Sequence, residues 1–303
     1  MRVLHGFAML AGWFGIICGA VPAAADDARI HYHDCAGLIC LDVPLGGHRE
    51  IFLLDTGNAS STIELGLARQ LGLALAPATR RNHPDEVLPG VFKTALPDAV
   101  ASGLGLGNPA IAALDLGDFR KDLGMKIAGS LAYTAFKDRV LRLDPRQHVV
   151  TVGDASPGPA PAGAQRYGLR IVTFGSAGPP ILTADAVEVN GHKFLAQLDT
   201  VFPEGAMLFP ASRDTLGLQD AHPIGHRILP YYDDHAELLR LAPGKVTFGD
   251  PLFAEAGRHV FLPGKGVHFP DNDIALVLGN AWFQGRLVTF DLHEMTVTIA
   301  PLA

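Results

Sequence analysis

Charge is scarce in this sequence, and none of it is gathered. Of 303 residues 18% are charged, Lys and Arg together number 24, and the formal net charge is -7. The basic stripe that marks a nucleic-acid binder is missing, so nucleic acid is excluded as an expected partner. Cysteine is nearly absent, with three in the chain, too few for a disulfide-dense scaffold or a four-cysteine zinc site. Gly103-Leu104-Gly105-Leu106-Gly107 lacks a following Lys-Ser or Lys-Thr and reads as a strand turn, not a phosphate cradle. His222 and His226 flank Pro223 and Gly225, which spoils a helical pair of metal ligands. No metal and no cofactor is expected. No period of 20–50 residues appears, which excludes solenoids and propellers.

What is present is a chain rich in apolar residues, 48%, with 34 Gly and 22 Pro, long enough for about two domains with cores of their own. Arg2 and His5 precede an uncharged apolar run over residues 6–20, and Ala23-Ala24-Ala25 supplies a small-residue cleavage pattern. Residues 1–25 read as a signal peptide, because the run is shorter than the ~20 residues a membrane span needs. The expectation is an exported protein, periplasmic or secreted, with no stable membrane insertion after cleavage. Cys18 would leave with that segment. Cys35 and Cys40 then remain in an oxidising compartment, where a local disulfide is the favoured reading. A metal pair with His31 and His33, or two buried thiols, are the alternatives.

The rest of the chain repeats itself. Gly47-His48 leads through Ile51-Phe52-Leu53-Leu54 to Asp55-Thr56, and Gly191-His192 leads through Phe194-Leu195-Ala196-Gln197-Leu198 to Asp199-Thr200 at the same spacing. Leu71-Gly72-Leu73 answers Leu216-Gly217-Leu218, and Ile127-Ala128-Gly129 answers Val277-Leu278-Gly279. Each half closes with a strand pair, Val140-Leu141-Arg142-Leu143-Asp144 with His148-Val149-Val150-Thr151-Val152 in one and Leu287-Val288-Thr289-Phe290-Asp291 with Met295-Thr296-Val297-Thr298-Ile299 in the other. Short β-branched runs bounded by Gly, Pro, Asn and Asp predict a mostly-β fold. Residues 155–164, nearly all Ala, Pro, Gly and Ser, read as a linker. The halves are placed at 30–154 and 165–303.

The chemistry gathers at the repeated Asp-Thr. A carboxylate at the end of a buried strand is costly unless it is used or fully hydrogen-bonded. Two such pairs at matched positions of a duplication would meet across a two-fold relation as a carboxylate dyad, Asp55 with Asp199.

On Phe52-Leu53-Leu54-Asp55-Thr56-Gly57, the two apolar-apolar-Gly elements and the closing strands, the sequence resembles the retropepsin-like and pepsin-like aspartic proteases. Leu278-Gly279-Asn280-Ala281-Trp282-Phe283 resembles the C-terminal part of exported bacterial aspartyl protease-like proteins. The resemblance implies two homologous β-barrel lobes forming a bilobal pseudo-dimer, hence a functional monomer, with a peptide or protein substrate in the cleft under hairpin flaps. It implies Asp55 and Asp199 as catalytic residues sharing one proton, and Thr56 and Thr200 as cross-lobe hydrogen-bonding partners. Gly57, Asn58 and Val201 would support the carboxylates. By chain order the flaps fall near residues 83–94 and 228–237, with Tyr231 and Tyr232 as candidates to cover a substrate.

The second site departs from that pattern. Val201-Phe202-Pro203 stands where Gly and a small hydroxyl residue are expected, and Phe202 has no side-chain donor. Asn58 replaces a small residue but can donate. This asymmetry predicts that Asp199 is the less solvated carboxylate and holds the shared proton. The first functional reading is an exported aspartic endopeptidase that activates water between Asp55 and Asp199. The alternative is a catalytically impaired homologue that binds peptide or protein in the same cleft. A third is an assembly component of the cell envelope.

Overall fold

The computed structural model describes residues 27–80, 83–97, 104, 106, 108–154, 158–173, 180–229, 236–250, 256–264 and 274–302. The expected leader, 1–25, the Tyr231 and Tyr232 positions and most of the Gly103–Gly107 segment lie outside them.

The first half runs β1 (Ala28–Cys35), β2 (Leu38–Leu45), β3 (His48–Asp55), β4 (Ser61–Glu64), α1 (Leu65–Gln70), β5 (Ala76–Arg80), β6 (His83–Ala95), β7 (Ala110–Leu114), α2 (Gly117–Leu123), β8 (Gly129–Ala132), β9 (Val140–Asp144) and β10 (Val149–Gly153). The second runs β11 (Gln165–Thr173), β12 (Pro180–Val189), β13 (His192–Asp199), β14 (Ala206–Leu208), α3 (Pro210–Thr215), β15 (Gly225–Leu229), β16 (Ala236–Arg240), β17 (Val260–Pro263), β18 (Ile274–Gly279), α4 (Asn280–Phe283), β19 (Arg286–Asp291) and β20 (Thr296–Pro301). The fold is mostly β, as expected.

The two halves are wired alike, strand for strand. In the first, neighbouring strands follow the order β1, β2, β3, β8, β4, β7, β6, β5, with β3–β8 and β4–β7 parallel and the other pairs antiparallel. In the second, the order β11, β12, β13, β18, β14, β17, β16, β15 repeats both the sequence of neighbours and their directions. A separate antiparallel sheet takes β1, β10 and β9 from one half and β19, β20 and β11 from the other. At its centre Leu143 faces Val288, Arg142 faces Thr289 and Leu141 faces Phe290. Each residue there meets the counterpart of its mirror neighbour, which puts the pseudo-two-fold axis through the Arg142–Thr289 pair.

Local chemistry explains the shared geometry. The β2–β3 hairpin turns on Gly46 and Gly47, φ 58° and 85°, and the β12–β13 hairpin on Asn190 and Gly191, φ 47° and 80°. Positive φ at both central residues is the turn that matches strand twist, and Asn and Gly adopt it at least cost. Gly72 and Gly217, φ 67° and 64°, end α1 and α3 in the left-handed conformation. Their amides, with those of Leu73 and Leu218, satisfy the last carbonyls of the helix. The core is continuous through both halves, with Phe52, Phe136, Phe290 and Trp282 among its largest fully buried side chains.

The pairing register corrects one sequence alignment. Asp55 pairs with Ala132 and Asp199 with Gly279, so Leu131-Ala132, not Ala128-Gly129, is the counterpart of Leu278-Gly279. Gly129 serves another purpose. A Cβ there would strike the Thr62 carbonyl where β4 crosses β8. At Gly279 a Cβ would strike the carbonyls of Phe202 and Glu204.

Candidate functional site

β3 and β13 deliver their last residues, Asp55 and Asp199, to the middle of the molecule, and the threonines that follow lock the two loops together. Thr56 and Thr200 are fully buried. The Thr56 hydroxyl donates to the Leu198 carbonyl at 2.8 Å, and the Thr200 hydroxyl to the Leu54 carbonyl at 2.5 Å. Each threonine amide donates to the other's Oγ1, at 3.1 and 3.2 Å. Four buried bonds thus cross between the halves, and each of them would leave an unsatisfied polar group if broken.

The carboxylates sit beside one another on this clamp. Gly57 packs against Asp199 so closely that a Cβ on it would lie 2.6 Å from both Asp199 oxygens. Asp199 is buried, and its Oδ1 accepts from the amides of Val201, at 2.8 Å, and Phe202, at 3.2 Å. Asp55 accepts from the amides of Asn58 and Gly57 and from the Asn58 side chain. Burial pushes both carboxyls up. Asp55 stands well above the ordinary range, raised further by the charge of Asp199 and opposed by its Asn58 and Gly57 hydrogen bonds. Asp199 is pushed up to about 6 by burial, with the Val201 and Phe202 amides holding it back. The two carboxyls therefore titrate as a coupled pair that keeps a proton above the ordinary carboxylate range.

Val201 occupies the position matched to Gly57. Its side chain is partly buried and packs on an apolar cluster of the first half that contains Cys35, Leu38, Cys40, Leu53 and Ile127. Cys35 and Cys40 are joined in a disulfide with Cα atoms 6.0 Å apart, so they offer no metal pair to His31 and His33. Among the described residues no three His, Cys, Asp or Glu side chains converge on a metal-sized site.

Three contacts at the site have little signal in the sequence. Buried Gln197 donates through Nε2 to the Gly57 carbonyl at 3.1 Å, across the two halves. Asn280 donates through Nδ2 to the Gly37 carbonyl at 2.7 Å, tying the β1–β2 hairpin to the second half. Glu204, in the loop after Asp199, is buried and ion-paired to Arg227. The one hint of these was a polar residue in an otherwise apolar strand or tight loop, such as Gln197 between Ala196 and Leu198.

Matched hairpins flank the site. β5–β6 covers the first flap position, residues 83–94, and with Ala59, Ser60, Ile111 and Thr134 it lines a cavity of about 620 Å³. β15–β16 forms the second, its connecting residues lying outside the described ones. Val87 on one hairpin and Ile228 on the other are exposed apolar side chains.

No family model and no curated protein matches the chain. Among solved structures it is similar to conglutin gamma, a basic 7S globulin from lupine seeds, at 13% identity over 91% of this chain and 95% of that one, with a TM-score of 0.47. It is also similar to basic 7S globulin from soybean, at 11% identity over 90% and 94% of the two chains, TM-score 0.42. These findings correct the family expected from the sequence. The similar structures are seed globulins, not the retropepsin-like or exported bacterial proteases that Asp55-Thr56-Gly57 suggested. What stands is a β-rich fold resembling the aspartic-protease-like fold.

Proposed function

We propose that the chain binds extended peptide or unfolded protein segments over Asp55 and Asp199, between the two hairpins, and that its capacity to hydrolyse them is impaired. The observation that carries this reading is the exchange of Gly57 for Val201 at matched positions. Where Gly57 lies against Asp199 there is no space for a Cβ, whereas the matched Val201 carries a branched side chain packed on the Cys35–Leu38 cluster. Two carboxylates that share a proton and a water need matched, finely placed support, and the loop that carries Val201 is packed differently from the loop that carries Gly57. Exposed Val87 and Ile228 on opposite hairpins supply apolar contact for a bound segment.

A second reading, hydrolysis by water activated between the carboxylates, is favoured by the raised pKa of both groups. In that reading the ionised carboxylate of the pair takes a proton from water as it attacks the peptide carbonyl, and the protonated one donates to the developing oxyanion. Export, cleavage after Ala25 and function as a single chain belong to the same proposal; the N-terminal mass of secreted protein and its sedimentation would test them.

The deciding experiment incubates a mixed peptide library with the protein and with Asp55→Asn, Asp199→Asn and Val201→Gly. The proposal expects capture without cleavage by the unmodified protein, and cleavage that appears in Val201→Gly and is abolished when either Asp is also replaced. Cleavage by the unmodified protein that both Asn variants remove would establish the second reading. Absence of capture by a folded protein would sink both.

A further inference from the structure

The two walls of the proposed groove differ in charge. In the first half the loop after Asp55-Thr56 and the hairpin above it line a largely apolar cavity through Ala59, Ala78, Leu88, Val91 and Ile111, with Lys93 the one charged side chain of its lining. In the second half the loop after Asp199-Thr200 carries Glu204, and the hairpin above it carries arginines. Arg227 pairs in register with Leu238, and Gly225 with Arg240. Leu238 is buried, so Arg227 and Arg240 share the inward face of that hairpin.

The arginines outnumber the carboxylate they face. Glu204 is 9% exposed and Arg227 50%, and Arg227 reaches Glu204 through Nη1. The Nε–Nη2 edge is the one that grips a carboxylate side-on, and half of the Arg227 side chain is exposed. Arg240 Nε is buried and lacks an acceptor among the described residues. The charged groups that act on Glu204 are Arg227, His259 and Arg240, all of which lower its raised pKa. Among the described residues Glu204 thus sets at most one negative charge against two permanent positive ones.

We propose that Glu204, Arg227 and Arg240 form a receptor for an acidic side chain of the bound segment, so that the groove selects peptides with Asp or Glu on its second-half side. Arg227 is the specificity-determining residue, its Nε–Nη2 edge taking the ligand carboxylate, while Glu204 holds the guanidinium in place through Nη1. The inference rests on the groove being a peptide site, and its test separates the two.

The test measures binding, by fluorescence anisotropy, of short extended peptides in which one residue is Glu, Gln or Leu at each position in turn. One position should prefer Glu over Gln by roughly tenfold or more, the worth of a charge-assisted hydrogen bond. Arg227→Gln should erase the preference while peptides with Leu there still bind, and Arg227→Lys should keep part of it. Glu204→Gln should increase it, since a competing carboxylate is removed; a merely structural ion pair would not do this. If Arg227→Gln does not fold, the double variant Glu204→Gln/Arg227→Gln removes both charges together and reads the same loss. Equal binding of Glu and Gln peptides at every position overturns the receptor and leaves the peptide site standing. No binding of any peptide overturns both.

Discussion

The two halves share every strand partner and almost none of the chemistry. Asp55-Thr56 and Asp199-Thr200 occupy the same place, yet Gly57 is matched by Val201, Asn58 by Phe202, Leu53 by Gln197 and Ala132 by Gly279. Backbone ladders set the common frame, and they tolerate nearly any side chain that keeps the alternation of faces. The loops that leave the frame are where the halves diverge. A duplicated frame thus frees one copy's loop to be refilled, provided the bonds crossing between the copies survive.

The clamp is where that comparison is most easily broken. Thr200→Val strips the acceptor from the Thr56 amide and the donor from the Leu54 carbonyl, and should cost about 3 kcal/mol in a urea unfolding curve. Thr56→Val removes the equivalent bonds to Thr200 and Leu198 and should cost about the same. A loss confined to one of the two would make the halves unequal partners.

The matched loop positions should respond unequally. Gly57→Ala presses a Cβ on the Asp199 carboxylate and should destabilise by about 2 kcal/mol. Val201→Ala only trims a partly buried side chain from the Cys35–Leu38 cluster and should cost about 1 kcal/mol. Equal costs would mean the Gly57–Asp199 contact relaxes freely.

Acidity separates the two carboxylates from the rest of the molecule. Asp199 ionises near 3.8 when unfolded and near 6 when folded. Its contribution to stability is therefore intact below pH ~4 and is lost as pH rises through about 6. Asp199→Asn, which cannot ionise, should be more stable than the unmodified protein at neutral pH and should lose that advantage in acid. Thermal melts across the range would read it, and a parallel shift at all pH values would remove the titration from the explanation. The smallest effects should come from Gly72→Ala and Gly217→Ala, about 1 kcal/mol each, because both end a helix in the same left-handed turn.

Reading the sequence reached whatever is local or repeated. The Asp-Thr pairs, the Asn190-Gly191 turn, the Leu-Gly-Leu helix ends and the closing strands all announce themselves within a few residues. Gly129 misled because a glycine's steric purpose depends on what crosses it, and the Thr62 carbonyl that crosses here is far off in the chain. Gln197, Asn280 and Glu204 were passed over for a similar reason. Their partners, Gly57, Gly37 and Arg227, come into reach only once the halves and the hairpins have assembled. The site's frame is written in periodicity, whereas its electrostatics arise from tertiary neighbours that no short window contains.

The seam at Arg142 and Thr289 governs how the chain can assemble itself. β9 is the inner strand of its half's contribution to the shared sheet, and its free edge is covered by β19. Until β19 has been synthesised, that edge is an open template for pairing with any strand nearby. Covalent linkage raises the local concentration of the proper partner far above that of a neighbouring chain's β9. Carrying both halves on one chain thereby makes correct closure a race that the chain's own C-terminal half wins.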